Sequence, residues 1–390
     1  MSLQAFRLSE KLAERQAQSR FRQPRTHEAA QGPWLQHDGR RYRNFSSNDY
    51  LGLADHPRVK AAMTAAIARY GVGSGAAHLV CGHSREHQAL EEELADFTGR
   101  EATLLFSTGY MANLGTIQAL AGRGDTVFED RLNHASLLDG GLASGARFQR
   151  YRHNDVDHLR QLLAATPAEG RLVVTDAVFS MDGDIAPLPA LARACREQQA
   201  VLMADDAHGF GVLGPQGEGA VAEQGLTMTD VPVYMATLGK ALGGFGAFVA
   251  GSRELVSYLT NFARPYIYTT AMPPALAAAM RESLRIVCEE AWRRQRLHML
   301  IRRFRQGVLA QGWQIMPSDT AIQPILLGEE STALNISQAL AERGFWVTAI
   351  RPPTVPVGQS RLRITLTAAH DESDIDALLS TLADLREVAG

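Results

Sequence analysis

Residues 171–211 read RLVVTDAVFSMDGDIAPLPALARACREQQAVLMADDAHGFG. An apolar, β-rich run (LVVTDAVF) gives way to a helical stretch (LARACREQQ) and then to a second apolar run (VLMADD) ending in acids. Strand, helix and strand in this order are the unit of a mainly parallel sheet with helices on both faces. The same rhythm holds from about Phe45 to Ala250, upstream through TLLF, MANLGTIQALA and TVF, so the predicted fold class is α/β. In such sheets ligands bind beyond the carboxyl ends of the strands. Asp205, Asp206 and His208 stand at one of those ends, in a Gly-containing loop.

Outward from this core the pattern changes. After Pro273-Pro274 comes an Ala- and Arg-rich helical region reaching to near Val308, then shorter strands at QPILLG, FWVTAI and RLRITL and a final helix. This reads as a smaller α+β domain. At the other end, MSLQAFRLSEKLAERQ has the spacing of an amphipathic helix, and WLQHDGRRYRNF reads as a hairpin turning at Asp38-Gly39. The expected division is 1–48 as a helix and hairpin packing with the small domain, 49–290 as the large domain and 291–390 as the small one. No fixed-period repeat or low-complexity tract interrupts it.

The whole chain sets further bounds. With 390 residues, 45% hydrophobic, 21% charged and a formal net charge of -3, it has the make-up of a globular protein with no basic excess, and nucleic acid is not an expected partner. Cys81, Cys195 and Cys288 lie far apart without a CxxC pair, against a disulfide framework or a cysteine zinc site and in favour of a reducing cytoplasm. No run approaches the roughly 18 to 20 apolar residues of a membrane helix. The N-terminal segment carries Glu10 and Glu14 and no apolar stretch of a signal peptide.

LGKALGG, between the apolar runs VYMAT and FGAFVAG, sets Lys240 among glycines, where a ligand can approach closely. A phosphate-loop reading fails, since Ala241 follows the lysine and the GxxxxGK[ST] spacing is absent. Pyridoxal 5′-phosphate (PLP) needs a lysine amine for a Schiff base, a carboxylate facing its ring nitrogen and groups that hold its phosphate. Lys240, Asp205 and the segments around Gly109 and Thr237 provide all three. His208 is in reach of a ring hydroxyl, and His134 in DRLNHASLLDG has a ring able to stack on a pyridine face. Ser107-Thr108-Gly109 precedes a helical run, so backbone amides of Gly109 and Tyr110 point where a phosphate binds. Each motif alone has a plainer reading, as a helix cap, a turn or a solvated lysine. Their combination is what points to PLP.

Other patterns compete less well. His83-Ser84-Arg85-Glu86-His87 matches a zinc-hydrolase H-x-x-E-H string, but no third ligand stands nearby, and helix-surface histidines are the expectation. Gly71-Val72-Gly73-Ser74-Gly75 has its last glycine one place early for a dinucleotide fingerprint and reads as a ligand-lining loop. Arg351, Arg361 and Arg363 surround IRPPTVPVG and RLRITL, either as carboxylate-gripping forks or as exposed strand arginines.

NFSSNDYLGL, HQALEEELADF, NHASLLDG, VFSMDGDIAPL, DDAHGFGVLG, TLGKALGG, YTTAMPP and IRPPTVPVGQSRLRITLTAAH run nearly end to end, and the chain carrying them resembles the α-oxoamine synthases of PLP fold type I. The resemblance implies a large domain with a mainly parallel seven-stranded sheet flanked by helices, and a homodimer with active sites between subunits. It implies Lys240 as the Schiff-base lysine, Asp205 at the pyridine nitrogen, His208 and Ser180 against the cofactor, His134 stacked on its ring, and Gly109, Tyr110 and Thr237 around the phosphate. Thr270 would reach the phosphate of the neighbouring chain. For substrates it implies Arg363 at an amino-acid carboxylate with Asn48 and His134 nearby, Arg22 (with Arg20 close by) at the acyl substrate, and Thr354 in the substrate region.

The implied reaction is a decarboxylating acyl transfer between L-alanine and a pimeloyl thioester, on CoA or a carrier protein, with Lys240, His134 and Asp205 as its catalytic groups. A glycine-using member (glycine C-acetyltransferase or 5-aminolevulinate synthase) is the nearest alternative. A catalytically silent partner subunit is a remote one, opposed by the presence of Lys240. The loop GSGAAHLVCGHS departs from relatives at Ala76, Ala77 and Cys81, where Gly and Ser are frequent.

Overall fold

The structure is a computed structural model that describes residues 3–18 and 20–389. A 3-10 turn, Leu3–Phe6, precedes a helix, Leu8–Ala17, whose described side chains are exposed. Strands β1 (Trp34–His37) and β2 (Arg40–Asn44) then form the expected hairpin, turning through Asp38 (φ 49°) and Gly39 (φ 70°). Asp-Gly suits such a turn because both central residues need positive φ.

The centre is one sheet of β3 (Ala102–Phe106), β4 (Thr126–Asp130), β5 (Arg147–Tyr151), β6 (Arg171–Asp176), β7 (Val201–Asp205), β8 (Val233–Thr237) and β9 (Ala247–Gly251). Its seven strands run in the order β3-β9-β8-β7-β6-β4-β5. Every neighbouring pair is parallel except those of β9, which runs antiparallel to β3 and β8. Strands covered on both faces need apolar residues at successive positions, which is why β6 and β7 read as unbroken runs.

Alternate residues feed opposite layers. Phe128, Val173 and Leu202 join a core with Leu188 and Leu191 of the helix Leu188–Glu197. Val127, Val174 and Met203 join another with Ala112 and Ile117 of the helix Gly109–Leu120. The unit β6, Leu188–Glu197, β7 is thus the crossover read in residues 171–211, and its register sets Asp176 beside Asp205.

The long helical region resolves into two helices, Pro274–Glu289 and Trp292–Ala310, separated at Glu290, whose φ of -110° and ψ of 57° leave the helix. Beyond them lie β10 (Ile322–Gly328), β11 (Phe345–Trp346), β12 (Thr348–Ile350) and β13 (Ser360–Thr365). FWVTAI is therefore not one strand. β11 pairs in parallel with β2, whereas β12 pairs with β13 in a separate sheet, β10-β13-β12.

Arg361 on β13 is wholly buried, 1% exposed, and its guanidinium donates to Asp182 Oδ1 at 2.5 Å. A buried cation left without its anion is costly to keep in the fold, and removing one partner of such a pair loses about 3–5 kcal/mol. Asp182→Ala is expected to lower unfolding stability by that amount, read as a lower urea midpoint at unchanged m-value. A shift within about 0.5 kcal/mol, the size of a neutral surface substitution, would contradict the assignment.

Candidate active site

At the carboxyl ends of β6, β7 and β8 a cleft of about 540 Å³ is lined by Gly109, Tyr110, His134, Ser180, Asp205, His208, Thr237 and Lys240, together with Asn113, Ser136, Asp176, Ala207 and Met235. Asp205 ends β7, with Oδ1 accepting from the Ala207 amide at 2.9 Å and Oδ2 from Asn113 Nδ2 at 2.7 Å. Lys240 follows β8 in a tight loop in which the Gly243 amide donates to the Lys240 carbonyl at 2.8 Å. At Gly243 (φ +71°) a Cβ would lie 2.3 Å from the Ala54 nitrogen, so this loop requires glycine there.

Desolvation brings the Lys240 ammonium down to about 8, against the opposing pull of the Asp205 and Asp176 charges. Burial beside Asp205 pushes the Asp176 carboxyl well up. Asp176 Oδ2 accepts the His134 amide at 2.8 Å and so seats that residue at the start of the helix Ala135–Ala143. Burial holds the His134 imidazole below its usual value. His208 is held well below its own by burial and then by the charges of Lys240 and Arg363. Burial thus disfavours the imidazolium form of both rings. His208 Nδ1 lies 2.6 Å from Tyr50 Oη, whose own ionisation is pushed up to about 12 by burial.

Thr108 Oγ1 caps Met111 N–H, and Gly109 and Tyr110 form the first turn ahead of it, where amides have no intrahelical acceptor. The Tyr110 hydroxyl is taken up by Asp139. Thr237 Oγ1 donates to the Gly246 carbonyl at 2.9 Å and accepts the Gly239 amide at 3.2 Å.

Arg363 of β13 comes from the three-stranded sheet β10-β13-β12. Its Nε donates to the Ser180 carbonyl at 2.6 Å and its Nη2 to Asn48 Oδ1 at 3.2 Å. Arg361 is neither exposed nor open to a carboxylate ligand, since Asp182 holds it. Five expected residues are not among those lining the cleft of their own chain: Asn48 and Arg363, which pair with each other, and three exposed ones. Arg22 is exposed in the segment after the first helix, Thr354 is exposed in the loop before β13, and Thr270 is exposed and bridged to Ala77.

Sequence reading missed Tyr50, Asn113, Ser136 and Asp176. The strand-end rule that found Asp205 could have found Asp176, because RLVVTD and VLMAD end in register. The expected helix-surface histidines are also corrected. His87 is fully buried, and its Nε2 pairs with the Met272 carbonyl at 2.7 Å, while His83 Nδ1 lies 2.9 Å from His78 Nδ1. Among the described residues no group of His, Cys, Asp and Glu could hold a metal ion. A roomier cavity of about 930 Å³ lies at the opposite, amino ends of the strands, walled mainly by apolar residues such as Leu172, Val201 and Val233. It lacks the paired acids, lysine and imidazoles of the smaller cleft.

The site suits PLP on its own chemistry. A desolvated primary amine, a buried carboxylate with room for one more donor, a neutral imidazole and the open first turn of a helix meet in one cleft. Fold and site together define a PLP-dependent enzyme of fold type I.

Residues 40–382 match the family model "Aminotransferase class I and II". The chain is 61% identical over 378 residues to 8-amino-7-oxononanoate synthase of Cellvibrio japonicus, covering 97% of this chain and 95% of that protein. It is 57% identical to the protein of that name from Saccharophagus degradans, covering 100% and 99%. Among solved structures, serine palmitoyltransferase of Sphingomonas wittichii superposes with a TM-score of 0.94 at 32% identity, over 100% of this chain and 99% of that one. 8-Amino-7-oxononanoate synthase from Francisella tularensis gives 0.77 at 31%, over 89% and 98%. The chain belongs to the class I and II aminotransferase family, in the branch of the 8-amino-7-oxononanoate synthases.

In cofactor-free protein, acylation of Lys240 by a trace reagent, followed by mass spectrometry, is expected to rise with a midpoint near pH 8. A midpoint near the ordinary lysine value of about 10.4 would show that the amine is not desolvated.

Proposed function

We propose that this protein condenses L-alanine with a pimeloyl thioester to form 8-amino-7-oxononanoate, carbon dioxide and free thiol, a step of biotin synthesis. The observation that carries the reading is Lys240, desolvated in the same cleft as Asp205, in a chain 61% identical to a protein of that name. When bound, PLP supplies a carbonyl that captures the amino group and a ring that takes up the electron pair freed at Cα.

The chain's own residues do the rest. Asp205 would face the pyridine nitrogen, where its carboxylate favours a protonated, electron-poor ring. The Lys240 amine, brought down to about 8, is free base often enough at neutral pH to take the alanine Cα proton and is near the optimum for general-base work. Arg363, held by Ser180 and Asn48, presents its guanidinium to the amino-acid carboxylate. His208, braced by Tyr50 and with its imidazolium disfavoured by burial, would contact the cofactor hydroxyl, with Ser180 beside it. His134 would lie against the cofactor ring and donate a hydrogen bond to the acyl oxygen. Gly109, Tyr110 and Thr237 would hold the phosphate.

The working form in this proposal is a homodimer, with Thr270 of each chain completing the neighbouring phosphate site and Arg22 and Thr354 serving the acyl substrate. Support comes from the surface next to Thr270. Val72, Val80 and Tyr268 are 81%, 77% and 72% exposed on segments joined by the Ala77–Thr270 bridge and the Ala271 amide to Ala76 carbonyl bond. Large apolar side chains grouped in this way mark an interaction surface. Among the described residues no helix is long and apolar enough to cross a membrane. The large-domain and small-domain boundaries near residues 49 and 291 belong to the same proposal.

Carbon dioxide release is expected with L-alanine and pimeloyl-CoA, and it should vanish in Lys240→Ala together with the visible absorbance of the PLP-loaded protein. Equal or better turnover of glycine with acetyl-CoA would overturn the choice of substrates. Light scattering after gel filtration is expected to give twice the chain mass of 42.5 kDa, and an active species at the single-chain mass would refute the shared site.

A further inference from the structure

Asn113 and Ser136 are buried in the cleft and have no part in the chemistry set out above. Asn113 Nδ2 lies 2.7 Å from Asp205 Oδ2 and 2.9 Å from Ser136 Oγ, and Ser136 Oγ lies 2.8 Å from His134 Nδ1. Counting protons along this chain gives it a direction. A carboxylate only accepts, and an amide nitrogen has two hydrogens to donate. Turning the Asn113 amide over would set its oxygen against the carboxylate, so both hydrogens of Nδ2 are committed, one to Asp205 and one to Ser136 Oγ. The hydroxyl of Ser136 then has a single proton left, and His134 Nδ1 is the acceptor in reach. The backbone amide of Ser136 also donates to Nδ1, at 3.3 Å. With two donors aimed at it, Nδ1 must offer its lone pair, and the ring proton sits on Nε2.

We propose that Asn113 and Ser136 are positioning residues through which the carboxylate of Asp205 fixes His134 as the Nε2–H tautomer, so that it meets the acyl substrate as a donor. The inference deepens the function proposed above and rests on His134 serving the acyl group there. A neutral imidazole that donates to a carbonyl is an established catalytic arrangement in other folds. Here the same carboxylate that holds the cofactor nitrogen sets the tautomer of the ring beside it, so the two catalytic groups are pre-organised by one hydrogen-bonded chain.

The test uses PLP-loaded protein labelled with ¹⁵N-histidine at neutral pH, with His134→Gln to identify the ring signals. Wild-type His134 is expected to show a protonated Nε2 and a lone-pair Nδ1. Ser136→Ala and Asn113→Ala should each move measurable population toward Nδ1–H and lower kcat about tenfold, with KM for alanine within about twofold. A wild-type Nδ1–H ring or imidazolium would overturn the proposal even if both variants fail to fold, and so would unchanged tautomer populations in both variants. Failure of the protein to take up PLP, seen as absent visible absorbance, would instead count against the proposed function.

Discussion

A carboxylate buried at the end of a parallel strand has to find donors, and much of the site is arranged to meet that demand at Asp205. Its neighbours on the sheet cannot help, because the register partner on β6 is another acid, Asp176. Donors come instead from the Ala207 amide in the turn that follows and from Asn113, on a helix that packs across the sheet. Lys240 contributes a nearby cation from the next strand's loop, and its own amine is made less basic by the same lack of water. One desolvated acid thus couples a strand end, a helix face and a loop, and the imidazole of His134 is drawn in through Ser136.

The opposite wall is held by a different kind of constraint. Thr365 N–H donates to the Phe45 carbonyl and Thr367 Oγ1 to the Asp49 carbonyl at 2.6 Å, so the segment that follows β2 is stitched to the end of β13 and the residues after it. This seam sets Asn48 against Arg363 and Tyr50 against His208. A substrate carboxylate reaching Arg363 would therefore meet a guanidinium whose direction is already set by Ser180 and Asn48, with little side-chain freedom left to lose.

Much of this was legible in the chain because some signals are local. A β-rich run ending in acids announces a strand that stops at a polar edge, and Asp205, His208, Lys240, Gly109, Tyr110, His134, Ser180 and Thr237 do share one cleft. Asn113 was not legible, since an asparagine inside GYMANLGTIQAL looks like any helix residue until the helix is laid on the sheet. His87 misled for a related reason. Its polar spacing suggests a surface, whereas it caps its own helix through the Ser84 amide and is covered by the Met272 segment.

By itself the sequence determined the alternation of strands and helices, the hairpin at Asp38-Gly39 and the residues at strand ends, because hydrophobic period and turn chemistry act over a few neighbouring positions. It also pointed to side chains of the chemistry that PLP needs. Only the tertiary structure decided that FWVTAI divides between two sheets, that Arg361 is spent on Asp182 while Arg363 pairs with Ser180 and Asn48, and that Asn113 and Ser136 join Asp205 to His134. Those outcomes depend on which groups, distant in the chain, are driven together out of water and must then satisfy one another's hydrogen bonds and charges. That pairing has no periodicity to read.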